Sequence, residues 1–128
     1  MNQQMQTKGI LWAVPQLPFC CAPLYRNQPE TLHITLKYDV EIDEVQHWIG
    51  VEFEAIAIAE CFDHWNHAIA VALPVNIPCQ NEHPHLTISW EMGSSAQASN
   101  EMLAQPHRRQ VIGKVIQCRI EFEFFKEQ

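Results

Sequence analysis

The sequence is poor in positive charge and has no long apolar run. Eight Lys and Arg stand against 15 Asp and Glu among 128 residues, so the formal net charge is −7. Proteins that coat nucleic acids need a surplus of cations to displace counterions from many phosphates. We therefore expect no extended nucleic-acid surface, and a nucleotide partner that is small or held at one end. No apolar run reaches the length that crosses a bilayer, so we also expect no membrane partner.

A secretory leader and a paired-cysteine motif are missing as well. Polar Asn2, Gln3, Gln4 and Gln6 stand where a signal peptide would have a basic and then an apolar segment. The five cysteines are an odd number and include no Cys-X-X-Cys. We therefore expect a reducing, cytoplasmic location, with thiols that serve mostly as small core residues.

The chain has the length and composition of one globular domain. Its mass is 14.8 kDa and 47% of its residues are hydrophobic, which predicts a single domain over residues 1–128 with an ordered core of about 9–125. Alternating and short apolar segments predict six strands and two helices, hence an α+β fold. The predicted strands are Gly9–Val14, Leu32–Val40, Val51–Phe62, Ala68–Val75, His85–Trp90 and Val115–Phe125, and the predicted helices are Ile42–Gly50 and Gly93–Pro106.

A proline-rich segment separates the first two predicted strands. Residues 15–31 hold four prolines and show no clean period, which predicts a loop. A loop this long in a small domain is more often a lid or a binding loop than a connection without a function.

Two predicted strands carry the same motif. Leu32–Tyr38 reads Leu-His-Ile-Thr-Leu-Lys-Tyr and Pro84–Trp90 reads Pro-His-Leu-Thr-Ile-Ser-Trp. In each copy the His and Thr are two residues apart, and therefore lie on the same face of a strand. The intervening aliphatic residues and the terminal aromatic, Tyr38 or Trp90, are predicted to face the core. Two such strands side by side place two imidazoles and two hydroxyls on one polar surface.

This set of side chains suits hydrolysis of a phosphodiester. The reaction needs one group to take a proton from water and another to give a proton to the leaving oxygen, and histidine does either near neutral pH. A Thr hydroxyl supplies a neutral donor to a phosphoryl oxygen. We therefore expect His33 and His85 to be catalytic and Thr35 and Thr87 to bind the phosphate, without a metal or another cofactor.

The paired motifs resemble those of the 2H phosphoesterase superfamily, which is named for two His-X-Thr-X motifs on neighbouring strands. The resemblance implies antiparallel sheets in pseudo-twofold lobes with a central cleft between the motif strands. It also implies metal-independent hydrolysis of a cyclic nucleotide or 2′,3′-cyclic phosphate linkage. The short chain is similar to compact phage and bacterial members that degrade cyclic oligonucleotide signals. A 2′–5′ phosphodiesterase and a nucleotide-binding module without turnover are the alternatives.

Further residues are candidates for binding the substrate. Tyr25 and Arg26 lie in the proline-rich loop, where they could stack on a base and clamp a phosphate. Lys37 and Ser89 continue the polar face of the motif strands, and Trp65 in the connection at residues 63–67 could stack on a base.

A zinc site is the competing interpretation of some of these residues. Cys61, His64 and His67 have the spacing Cys-X2-His-X2-His, and Cys79, His83 and His85 follow. Thiolates and imidazoles are zinc ligands, but without a Cys-X-X-Cys we predict solvated turn histidines and no metal. A zinc ion on His85 would also prevent this residue from acting as an acid or base.

Overall fold

Within residues 6–17, 19 and 21–126, which the computed structural model describes, six strands form one closed antiparallel barrel. Around the barrel the strands follow the order β1-β2-β5-β4-β3-β6, and β6 returns to β1. The strands are β1 (Lys8–Pro15), β2 (Ile34–Glu41), β3 (Glu52–Phe62), β4 (Asn66–Ala72), β5 (His85–Trp90) and β6 (Arg108–Phe124).

The helices are shorter than the sequence predicted. The segment 42–50 forms one turn of helix, α1 (Ile42–Val45), followed by a 3₁₀ turn over Gln46–Trp48. The segment 93–106 contains α2 (Ala98–Ala104), which packs against β4. In the described part of the chain, no helix is both long and apolar enough to pass through a membrane.

The predicted α+β fold with pseudo-twofold lobes and a central cleft is wrong, because the strands close into one barrel. Closure depends on β6, which is 17 residues long. Its residues 108–119 pair with β3, and its residues 118–124 pair with β1. One strand therefore joins the two ends of the sheet, and no second lobe remains to form the far wall of a cleft.

The length of β6 was underestimated because its first part carries no apolar alternation. Residues 108–115 are all exposed, whereas Ile116, Cys118 and Ile120 alternate into the core. The strand also bulges, since Ala57 pairs with Lys114 while Ala59 pairs with Val111. The bulge adds one residue to β6, and within it Gly113 has a φ of 71°, a left-handed conformation that glycine adopts without steric strain.

The barrel interior is narrow and filled with apolar side chains. Residues two apart on a strand point to the same side of the sheet, and one side faces the interior. The small residues Ala55 and Ala57 of β3 lie beside the larger Ile116 of β6 and Val71 of β4. The fully buried side chains of this cluster include Leu11, Ile34, Leu36, Ala55, Ala57, Ile69, Leu86 and Ile120.

The proline-rich loop packs against the core cluster of the barrel through Phe19 and Cys21. The Leu24 N–H lies 3.4 Å from Nδ1 of His67, and the Tyr25 N–H donates to Oγ of Ser89 at 3.1 Å. Further along, Asn27 and Trp90 exchange backbone hydrogen bonds of 3.2 and 2.9 Å. The loop is therefore attached to β4 and β5, and β5 carries the second His-Thr motif.

Candidate active site

The two His-Thr motifs meet on adjacent strands. β2 and β5 pair antiparallel with Ile34 opposite Leu86, and both of these side chains are buried in the barrel. The flanking residues must then point outward, because side chains alternate across a strand. In this register each motif histidine comes opposite the threonine of the other motif, so the four side chains form one cluster on the outer surface.

The cluster lines a cavity of about 370 Å³. This volume lies in the range of about 300–1,000 Å³ that is typical of small-ligand sites. The cavity lies over the adjacent strands β2 and β5 and is walled by the loops around them, whereas we had predicted a cleft between two lobes. Besides His33, Thr35, His85 and Thr87, its described lining consists of Ile10, Pro29, Tyr38, Asn81, Ala96, Gln97 and Asn100.

Both imidazoles are held in the same tautomer. Nδ1 of His33 lies 2.7 Å from the carbonyl oxygen of Thr31, and Nδ1 of His85 lies 2.8 Å from that of His83. A carbonyl oxygen only accepts, so each Nδ1 carries a proton and donates it. Nε2 of each neutral ring is therefore left to exchange a proton with a ligand.

The surroundings favour the neutral form of both rings. Burial lowers the pKa of His33 below its ordinary value, against the opposing effect of the Thr31 hydrogen bond. Burial likewise lowers the pKa of His85, which the charges of His33 and His83 lower further. Two imidazoles that repel each other's charge share one proton more readily than they hold two.

The two rings differ in what surrounds them. The Glu123 carboxylate raises the pKa of His33 against the effect of burial, whereas the charge of His83 adds to the lowering at His85. The indole of Trp12 also packs on His33, with ring centroids 4.2 Å apart and planes tilted by 37°. An aromatic face attracts a cation, so Trp12 and Glu123 both favour the charged form of His33.

The motif threonines differ as well. The Thr87 hydroxyl lies 3.2 Å from Oγ of Ser99 and 3.4 Å from the carbonyl oxygen of Ala96, so it already has partners in α2 and the preceding turn. For the Thr35 hydroxyl, the described residues provide no such partner. Thr35 is therefore ready to donate to a ligand, whereas Thr87 must first rotate away from α2.

A buried hydrogen-bond network holds α2 beside the cavity. Asn66, at the start of β4, is 1% exposed and donates to the Ser95 carbonyl at 2.8 Å and to Ser99 Oγ at 3.3 Å. Its own side-chain oxygen accepts from Ser94 Oγ at 2.6 Å. The network positions the segment that presents Gln97 and Asn100 to the cavity.

The five further substrate-binding candidates lie outside the cavity lining. Ser89 is fully buried and contacts His67. The Tyr25 hydroxyl donates to the carbonyl of Asp63, on another part of the surface. Arg26 is exposed in the loop, Lys37 is half-buried on β2, and Trp65 is exposed in the hairpin between β3 and β4.

Tyr38, which we predicted in the core, lines the cavity and is 53% exposed. The cause is a bulge in β2, where Trp12 pairs with Thr35 but Leu11 pairs with Lys37. This bulge lies between Thr35 and Tyr38, shifts the alternation by one residue and puts Tyr38 on the same outer face as Thr35. A second bulge follows at Asp39, whose φ of 59° is a conformation that Asp tolerates better than most residues.

The residues of the predicted zinc spacings are dispersed. Cys61 is fully buried between the barrel wall and α2, in a cluster with Met102 and Leu103, whereas His64 is exposed in the hairpin. Cys79 lies against backbone carbonyls, and His85 points into the cavity. His67 instead lies beside Cys21 and Glu60.

Among the described residues, the cavity thus provides two imidazoles whose Nε2 atoms have no partner, the hydroxyls of Thr35, Thr87 and Tyr38, and three side-chain amides. Comparison of the chain with protein-family models, with curated proteins and with solved structures finds no match.

Proposed function

We propose that this protein hydrolyses a phosphodiester bond in a cyclic nucleotide or a 2′,3′-cyclic phosphate, by acid and base catalysis with His33 and His85. The observation that carries the proposal is that both imidazoles line one cavity with Nδ1 bonded to a backbone carbonyl. Matched tautomers with free Nε2 atoms are what a pair of proton-transferring groups requires. The paired motifs of the 2H phosphoesterases, which this chain resembles, suit the same chemistry.

The step that we propose moves two protons and exchanges one P–O bond for another. Nε2 of neutral His85 takes a proton from water as the water oxygen bonds to phosphorus. The bond from phosphorus to the ribose oxygen breaks, and protonated His33 gives its Nε2 proton to that oxygen. The pair ends with the proton on His85, and exchange with solvent restores the starting state. His33 is the acid because Glu123 and Trp12 favour its charged form.

The rest of the cavity suits a phosphate on a small substrate. The Thr35 hydroxyl donates to a non-bridging oxygen, and Thr87 joins it after rotating away from Ser99. The described lining contains no carboxylate, and protonated His33 provides the charge that attracts the anion. A volume of about 370 Å³ suits one nucleotide, whose base the Tyr38 ring and the amides can contact.

A panel of substrates tests the proposal. The protein is incubated separately with 2′,3′-cyclic AMP, 3′,5′-cyclic AMP, a 2′–5′ diadenylate and a cyclic trinucleotide, and products are separated by chromatography. We expect hydrolysis of 2′,3′-cyclic AMP to a single nucleoside monophosphate. Turnover of the diadenylate or cyclic trinucleotide alone would replace the proposed substrate class and retain the chemistry. The proposal is contradicted if the protein binds these nucleotides without hydrolysing them, or if it neither binds nor hydrolyses them.

The pH dependence of kcat/KM gives a second test. The active form carries one proton on the pair, so activity falls at low pH when both rings are protonated and at high pH when both are neutral. Because burial lowers both pKa values, we expect the maximum below the ordinary histidine pKa of about 6.5. His83→Gln removes a charge that lowers the His85 pKa and should move the profile to higher pH. A maximum above about pH 7.5 contradicts this assignment.

A further inference from the structure

Three metal-ligating side chains meet beneath the proline-rich loop, outside the histidine cavity. Glu60 of β3 and His67 of β4 project from the same face of the sheet as the core residue Ile69, because Glu60 pairs with Ile69 and His67 lies two residues from it. The proline-rich loop covers this face and places Cys21 beside both. None of the three lines the cavity of the two motif histidines.

The distances within this cluster are close to those of a tetrahedral zinc site. Sγ of Cys21 lies 3.6 Å from Oε2 of Glu60 and 3.7 Å from Nε2 of His67. With Zn–S of about 2.3 Å and Zn–N or Zn–O of about 2.05 Å, tetrahedral angles place sulfur about 3.5 Å from each lighter ligand and the nitrogen about 3.3 Å from the oxygen. Nε2 and Oε2 are now hydrogen-bonded at 2.6 Å, so this pair alone must separate, by about 0.7 Å.

The second nitrogen of His67 already has the partner that a metal ligand needs. Nδ1 lies 3.2 Å from Oγ of Ser89, whose oxygen also accepts the Tyr25 N–H. The Leu24 N–H approaches Nδ1 at 3.4 Å, so Nδ1 accepts this bond and Nε2 donates its proton to Glu60. Metal binding at Nε2 moves the imidazole proton to Nδ1, which then donates to Ser89. Such a second bond orients most metal-binding histidines.

A nucleophilic role for Cys21 fits this geometry poorly. In a Cys–His catalytic pair the thiol faces one imidazole nitrogen while a third group holds the other. Here the thiol and the Glu60 carboxylate share Nε2. Burial, followed by the charge of Glu60, also raises the pKa of Cys21 to about 11. A neighbouring imidazolium is therefore too weak to stabilise the thiolate near neutral pH, whereas a divalent metal ion would do so.

We propose that Cys21, Glu60 and His67 bind one Zn²⁺, with a water molecule as the fourth ligand. A cavity of about 430 Å³, lined in part by Cys21, Glu60 and Lys114, adjoins the cluster and leaves room for the water. A thiolate, an imidazole and a carboxylate suit zinc among the common divalent ions. The ion would fasten the loop to β3 and β4. The proposal is independent of the proposed hydrolysis, since the two sites share no residue.

Metal titrations of the whole reduced chain test the proposal. Zn²⁺ affinity is measured by competition with a chromophoric chelator, and Co²⁺ is used as a spectroscopic probe. We expect one Zn²⁺ per chain, a thiolate-to-Co²⁺ charge-transfer band and a rise in melting temperature with Zn²⁺. Cys21→Ser should abolish the band and weaken Zn²⁺ binding by more than about 100-fold, and Ser89→Ala should weaken it by about 10- to 100-fold.

Two other cysteine variants serve as matched controls. Cys79→Ser changes a half-buried thiol away from the cluster. Cys20→Ser changes the residue that precedes Cys21 in the chain, and Cys20 lies outside the described residues. Both should keep the band and the affinity. Failure of the wild-type chain to bind Zn²⁺, loss of the band in either control, or an unchanged band in Cys21→Ser overturns the proposal. Circular dichroism of each variant shows that the fold is kept.

Discussion

Replacing either motif histidine by glutamine should lower kcat/KM for 2′,3′-cyclic AMP by about 100- to 10,000-fold, the contribution of a positioned acid or base. Glutamine preserves much of the size and polarity of the side chain but transfers no proton at neutral pH. Both imidazoles lie on the outer surface of the barrel wall, so His33→Gln and His85→Gln should leave the fold intact. Steady-state kinetics with circular dichroism of each variant measure this effect.

His107→Gln is the matched control for these variants. Nδ1 of His107 lies 2.8 Å from the carbonyl of Gln105, the same contact that the motif histidines make, but His107 lies outside their cavity. Its replacement should leave kcat/KM within about twofold of wild type. Activity that persists in the double variant of His33 and His85 would refute the catalytic assignment.

A change of leaving group separates the acid from the base. p-Nitrophenolate departs without needing a proton, so a nucleoside p-nitrophenyl phosphodiester makes the general acid dispensable. On this substrate the defect of His33→Gln should shrink to less than about tenfold, while that of His85→Gln stays near its original size. The reverse pattern would exchange the two roles.

Gly9→Ala should destabilise the barrel by about 3 kcal/mol or more. A Cβ at Gly9 would lie 2.1 Å from the backbone oxygen of Glu123 and 2.8 Å from the ring of Phe122. Gly9 pairs with Phe124, so β1 and β6 would have to separate where the barrel closes. Backbone cannot rotate away as the tip of a side chain can. Chemical denaturation measures the loss in the free energy of unfolding.

Gly93→Ala provides the comparison. No atom lies within 4 Å of a Cβ at Gly93, but its φ of 89° strains any other residue, and the expected loss is about 1 kcal/mol. Equal losses at the two positions would show that backbone conformation, and not the close approach of β1 and β6, governs stability at Gly9.

Strand positions could be predicted where apolar residues alternate with polar ones or form a short uninterrupted run. The predicted strand at 85–90 matches β5, and the predicted strands at 9–14 and 51–62 match β1 and β3 to within one residue at either end. Side-chain alternation is a property of the strand backbone itself, so it does not depend on which strand pairs with it. Where alternation fails, as in residues 108–115 of β6 and between Thr35 and Tyr38 of β2, the predictions failed too.

The His-X-Thr pattern by itself determined that His33 shares a strand face with Thr35, and His85 with Thr87, because residues two apart on a strand point the same way. That the two motifs form one cluster was decided by the pairing of β2 with β5. Only the tertiary structure decided that the strands close into one barrel, because closure depends on which strands β6 pairs with along its length. The tertiary structure also determined which other residues line the cavity, and it placed Cys21 beside Glu60 and His67. Those contacts join residues far apart along the chain, and no local period encodes such distances.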